Sequence, residues 1–346
     1  MNPQKMIQHM LSKKKVKWLV ILTCVGIIVC CAADWWLHNY SLRKVAFVMG
    51  SGARSLSASE DGSQVAVGCN DGSIAIWDND FQLQRRVNLF SQEGPANLLG
   101  SNACLAICWI GSGKLLVAGD GKLMLVSDHE PKKLIYQTSE GTIGQIKCGR
   151  TSDLILVAES SGVLAALELD GSVKHRFTRK GISCFDFYRD FAVISGASDG
   201  SISFHSLSDG RTANLEILPE AVWALAVSPD SSKLAVGTQS GNLHFFSISD
   251  NKLELMETIH VARGEVTALA YSPDGRYLAI ASGQTGSPLP INTGSVVFLD
   301  AHTHKRIRTI RWIPNTVREI AFAPDSSWVA TCGRDNYLRT WRGPGK

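Results

Sequence analysis

From about residue 44 onward the chain is a succession of short runs in which apolar and polar positions alternate, broken by polar turns. Arg54 to Asp78 reads RSLSASEDGSQVAVGCNDGSIAIWD: an alternating run, a polar turn, a second run, a tight turn and a third run. Alternation with a period of two predicts β-strands that bury one face. The same order returns over Leu105–Asp128, Ile143–Asp170, Ile182–Asp209, Val222–Asp250, Val266–Asp300 and Val317–Trp341. The seven units recur about every 42 residues, the signature of a repeat architecture.

The turns align across the units. Asp71-Gly72, Asp120-Gly121, Ser161-Gly162, Asp199-Gly200, Ser240-Gly241, Thr293-Gly294 and Asp335-Asn336 occupy one position. Gly or Asn there supplies the positive φ of two-residue hairpin turns. The preceding turns SPDS, SPDG and APDS combine Pro with Asp, Ser and Gly as type I turns do. Before the first unit, residues 44–49 form a strand-like run without a partner, and the last unit ends with too few residues for a further strand. Pairing of 44–49 with 337–342 therefore closes the array and removes exposed edges.

A different pattern precedes the repeats. Trp18 to Ala33 holds sixteen residues without a charge, and Trp35, Trp36 and Leu37 extend the stretch past Asp34. That approaches the roughly 20 residues a helix needs to span a bilayer. Tryptophans at both ends suit the headgroup layers, and the lysines on the N-terminal side predict a cytoplasmic N-terminus with the remainder exported. The expected organisation is a basic segment 1–17, a transmembrane helix 18–37 acting as a signal anchor, a linker 38–43, a repeat domain 44–342 and a tail 343–346. Cys31-Ala32-Ala33 also fits a cleaved signal peptide.

Charge narrows the function classes. The first seventeen residues carry five lysines and no acid, against a net charge of +4 for the whole chain. The repeat region is thus close to neutral, which argues against nucleic-acid binding. Of nine cysteines, Cys69, Cys104, Cys108, Cys148, Cys184 and Cys332 lie in the repeats without a zinc-ligand spacing. They read as small apolar residues. Six unpaired thiols fit a reducing compartment better than an oxidising one, so a cytosol-facing repeat domain stands as an alternative topology.

The segments AVSPDSSKLAVGTQSGNLHFFSI and AYSPDGRYLAIASG resemble the WD-repeat family, and the resemblance extends over 44–342. It implies an all-β fold, a seven-bladed β-propeller of four-stranded sheets around a channel, here preceded by one N-terminal transmembrane helix. It also implies binding of protein partners rather than catalysis. Units two to four are degenerate, and the closing Trp-Asp survives only at Trp77-Asp78. The usual Gly-His is missing, so the Asp–His–Ser/Thr–Trp hydrogen-bond network of such blades is expected to be mostly absent.

Candidate sites follow. In this family the face made by the loops into each first strand and by the second-to-third-strand turns most often binds partners. Between Gly283 and Gly294 that turn is much enlarged, with Pro288, Leu289, Pro290 and Ile291 as contact residues. Arg179, Trp223, Arg263, Arg318 and Arg334 lie near the same rim, and Arg and Trp are favoured at interaction hot spots. His302-Thr303-His304 offers a metal reading if the residues alternate on a strand, but it lacks a third ligand. Asp186 and Asp190 near His175 offer an acid–base reading that structural turn aspartates explain more simply. No cofactor motif occurs. The expectation is a membrane-tethered, monomeric interaction scaffold, with an extracytoplasmic propeller enzyme or a small-ligand or metal binder at the channel as the alternative.

Overall fold

The structure, a computed structural model, describes residues 42–48, 52–78, 80–90, 103–111, 113–127, 132–149, 153–249, 252–283 and 293–345. Among them are seven antiparallel four-stranded sheets. Their first strands are Ala53–Ala58, Ala106–Ile110, Ile143–Cys148, Ile182–Tyr188, Val222–Val227, Glu265–Tyr271 and Val317–Phe322. These lie side by side in a ring, the seventh next to the first. Between the third and fourth the contact is a hydrogen bond from Gln145 Nε2 to the Ser183 carbonyl, 2.8 Å. The chain is a seven-bladed propeller, and the blades with degenerate sequences have the same four strands as the rest.

Ring closure follows the sequence expectation. Leu42–Phe47 is the outermost strand of blade 7, beside Tyr337–Arg342. The Val48 amide donates to the Asn336 carbonyl at 2.8 Å. Leu42 and Arg43 of the expected linker thus already belong to a strand. The basic segment and the expected membrane helix lie outside the described residues. No helix among the described residues is long and apolar enough to cross a membrane.

Cohesion comes from apolar packing within and between blades. The second strands are almost wholly buried, as in Gln64–Cys69, Ala192–Ala197 and Lys233–Thr238. One shared cluster joins Leu156 and Leu164 of blade 3 to Phe185 and Val193 of blade 4. Close approach between blades explains small residues at the second strand's end. A Cβ on Gly237 would meet Val266 of the next blade at 2.3 Å.

The turns differ from the expectation in type. Most are three-residue loops with the glycine alone at positive φ, such as Gly72 at 79°, the type I turn plus left-handed residue that also closes hairpins. The expected two-residue turn occurs at Asp120-Gly121, with φ of 50° and 67°. Thr293-Gly294 is no tight turn but the start of the strand Thr293–Asp300; residues 284–292 before it lie outside the described residues. Aspartates cap three of these loops: Asp71 and Asp199 accept from the Ser73 and Ser201 amides at 3.0 Å, and Asp335 from the Tyr337 amide at 3.2 Å.

The blade network is reduced but present in pieces. Trp341 Nε1 donates to Thr331 Oγ1 at 3.0 Å in blade 7. In blade 4 His205 takes the tryptophan's place, 2.8 Å from Ser195 Oγ and 3.0 Å from Thr212 Oγ1. Burial holds its imidazole down at about 4, so it is neutral at physiological pH.

Candidate partner-binding mouth of the channel

All seven first strands contribute to the wall of a central channel with a cavity of about 150 Å³. Its upper mouth, on the side where those strands begin, is shaped by a recurring irregularity. In six blades the pairing of first and second strands skips one residue near the start. Such a bulge leaves the extra residue unpaired and re-aims its side chain. The bulged residues are Arg54, Gly144, Ser183, Trp223, Thr267 and Arg318. Blade 2 pairs without a skip.

Residue type decides what each bulge does. Thr267 Oγ1 donates to the Val317 carbonyl of the next blade at 2.6 Å, and Ser183 Oγ donates to that of Val222. Hydroxyl bulges therefore stitch neighbouring blades. Arg54, Trp223 and Arg318 are too long for that bond. Trp223 remains 40% exposed, and it lines the channel together with Arg318.

Three arginines gather at the junction of blades 7 and 1. Arg54 Nε donates to Asn70 Oδ1 at 2.6 Å. Burial, followed by the charges of Arg54 and Arg334, pushes Arg318 down to about 10. Nearby acids are already engaged: Asp71 with Arg86 and Asp335 with Arg339, each at 2.6 Å. Among the described residues no carboxylate pairs with these arginines, so the mouth presents positive charge on the same channel as an exposed indole, a combination suited to an acidic, partly apolar protein surface.

Deeper in the channel Lys147 pairs with Asp186 at 2.8 Å, and Asp186 also accepts from the Val227 amide at 3.0 Å. Glu319 faces the lumen half-buried, and burial raises its carboxyl to about 7 against the attraction of Lys147. A raised carboxyl favours the fold fully below its unfolded value near 4.5, and that contribution is lost as pH rises towards 7. Glu319→Gln is thus expected to leave stability unchanged at pH 4. Above pH 7 it should add up to about 3 kcal/mol. Thermal melts of both proteins across pH 4–8 check this; a gain that shrinks as pH rises contradicts it.

The residues singled out from sequence separate into groups. Trp223, Arg318 and Arg334 lie at the mouth. Arg263 lines a separate pocket on blades 5 and 6. Arg179 is no free rim residue: its guanidinium holds Asn214 Oδ1 at 2.5 Å and faces Asp199 at 3.9 Å, an internal contact between blades 3 and 4. Pro288, Leu289, Pro290 and Ile291 fall outside the described residues. Sequence reasoning missed Arg54; aligning the units on their first strands would have placed it with Trp223 and Arg318.

The metal and acid–base readings are not supported. His302 and His304 sit in a turn, not along a strand. His304 stacks on Phe245 with ring centroids 3.7 Å apart, and its Nδ1 lies 2.8 Å from Glu257. Among the described residues no group of three His, Cys, Asp or Glu side chains could hold a metal ion. His175 is held by the Leu207 carbonyl at 2.8 Å, and Asp186 is committed to Lys147.

Comparison with known proteins agrees with this architecture. A family model described as WD domain, G-beta repeat, matches residues 44–78, 254–286 and 294–342. Actin-interacting protein 1-2 of Arabidopsis thaliana is 29% identical over 129 residues, 37% of this chain and 20% of that protein. WD repeat-containing protein SL1-17 of Schistosoma mansoni is 30% identical over 151 residues, 43% of this chain and 46% of that protein. WD repeat-containing protein 1-B of Xenopus laevis is 30% identical over 128 residues, 37% of this chain and 19% of that protein. The chain spans less than half the length of each of these relatives.

Proposed function

We propose that this chain, which carries WD40 repeats on a seven-bladed propeller, is a membrane-tethered, non-enzymatic scaffold. In this reading it holds a protein partner at the upper mouth of its channel. The observation that carries the reading is the bulged set Arg54, Trp223 and Arg318 with Arg334 beside it. These are long side chains with no stitching role at one channel mouth, and among the described residues no carboxylate pairs with the three arginines. A partner offering acidic and apolar groups gains most there, because Arg and Trp lose less on ordering than they return in contact.

Mouth variants separate this role from folding. Trp223→Ala and Arg334→Glu together are expected to reduce recovery of the partner at least about tenfold, in line with hot-spot costs of 2 kcal/mol or more. Deletion of 284–292 tests the enlarged turn in the same assay. Arg318→Gln should not lower the melting temperature, since removing a buried and crowded charge relieves repulsion. Crosslinking and pull-down of the full chain give the readout. An unchanged partner list in the double variant contradicts the mouth as the docking surface.

The tether rests on the uncharged Trp18–Ala33 stretch and the lysines before it. Full-length protein should stay with membranes after alkaline extraction, and a chain lacking residues 1–41 should not. Orientation is read through Cys108, which like Cys148 is partly exposed while Cys69, Cys104, Cys184 and Cys332 are buried. A thiol hydrogen bond from Cys148 lowers Cys108 and favours its reactive thiolate. The same bond and burial push Cys148 far up, so in the exported orientation an impermeant maleimide labels Cys108 in intact cells. Labelling only after permeabilisation places the propeller in the cytosol.

A further inference from the structure

A second cavity, of about 500 Å³, lies away from the channel. It is built from the end of blade 5's outermost strand, Lys252–His260, the connection into blade 6, and the strands Tyr277–Gly283, Thr293–Asp300 and Arg306–Pro314. Arg263, Arg306 and Arg311 line it with His260, and no Asp or Glu is among its described lining residues. These three arginines are exposed, and no ion pair joins any of them to a carboxylate among the described residues. The carboxylate of Glu220 is engaged elsewhere, accepting from the Ser240 amide at 3.1 Å and from Asn242 Nδ2 at 3.0 Å. Asn242 Oδ1 in turn lies 3.1 Å from His260 Nδ1.

The rest of the lining offers hydroxyls. Ser282 and Ser295 bond to each other at 2.7 Å. Thr309 Oγ1 is buried without a hydrogen-bond partner, a costly condition that an acceptor in the cavity relieves. Three guanidiniums, an imidazole and an unsatisfied hydroxyl form a donor-rich pocket whose charge calls for a compact, multiply charged anion. Arginine forks match phosphate oxygens in bidentate geometry. The volume is that of a ligand pocket, larger than a bare ion needs.

We propose that this pocket binds a phosphate monoester, the phosphoryl oxygens held by Arg263, Arg306 and Arg311 with Thr309 as hydroxyl donor. The site is independent of the channel mouth. Its ligand is either a phosphorylated side chain of a protein or a small phosphorylated molecule, and the recognised group is the same.

Calorimetric titration of the full chain with phenyl phosphate, a phosphoserine hexapeptide, its unphosphorylated form and glutarate tests the proposal. Both phosphate probes are expected to bind, and the unphosphorylated peptide and glutarate to bind at least about tenfold more weakly. Arg311→Gln and Arg263→Gln should each weaken phosphate binding about tenfold, with an unchanged melt. Arg211→Gln, at an exposed position paired with Asp209, and Trp223→Ala should leave it intact. A phosphopeptide that binds much more tightly than phenyl phosphate identifies a protein source; equal binding identifies a small molecule. Absence of binding by both phosphates, equal binding of glutarate, or an equal loss in Arg211→Gln overturns the proposal. Loss of partner capture at the mouth with phosphate binding retained leaves this site standing.

Discussion

A chain that begins at Met49 is expected to lose cooperative folding, whereas one that begins at Leu42 melts as the full-length propeller does. The difference is the strand Leu42–Phe47 with Val48. Val48 is fully buried and packs with Trp328, Ala330 and Leu338, with Ala46 against the same cluster. Phe47 meets Tyr337 edge to face, ring centroids 5.3 Å apart. Without this strand, Tyr337–Arg342 becomes an open edge and blade 7 keeps three strands. Burying Val48 contributes about 2 kcal/mol, and each ladder hydrogen bond about 1 kcal/mol. The loss is comparable to the whole stability of many domains, roughly 5–15 kcal/mol, and the bare edge invites association. Circular dichroism melts and gel filtration of the two truncated chains provide the check. Identical melts and a monomeric Met49 chain contradict strand closure.

Trp341→Ala is expected to cost the most of any single substitution, about 3–5 kcal/mol. Trp341 has no exposed surface, and its indole N–H is held by Thr331 Oγ1. Truncation opens a cavity and leaves a buried hydroxyl short of a partner, two costs that add. Trp341→Phe should fill most of the space and recover part of the loss. Trp223→Ala provides the contrast: at an exposed bulge it should change stability by less than about 1 kcal/mol. Urea titrations of the three variants rank them. A Trp341→Ala penalty no larger than that of Trp223→Ala contradicts this account of the core.

Much of the fold was legible because two periodicities coincide. Alternation marks single strands, and the aligned Asp-Gly turns mark hairpins, so the seven units and the closing strand could be read without contacts. Thr293-Gly294 misled because a turn-like pair can also begin a strand when a longer segment lies before it. The mouth was only partly legible. A bulge is a property of pairing, two residues opposite one, and leaves no mark on the alternation of a single strand. Trp223 and Arg318 could be named for their residue types, and aligned with Arg54 on the first strands, but the bulge that re-aims all three could not be read. Arg179 looked equally suitable, yet its partner Asn214 lies on another blade. His302 and His304 offered a metal reading only if they alternated along a strand, and the turn instead places the His304 ring on Phe245. The basic pocket was invisible apart from Arg263, because Arg306 and Arg311 reach it from an outer strand whose sequence reads as ordinary surface.

Docking at the channel mouth is read directly by site-specific photocrosslinking in cells. A photoreactive amino acid at position 223, at the channel mouth, is compared with one at Leu255, exposed on an outer strand. A discrete protein adduct is expected from position 223, disappearing with Arg334→Glu, and none from position 255. Adducts from position 255 alone, or a position-223 adduct unaffected by Arg334→Glu, would contradict docking at the mouth.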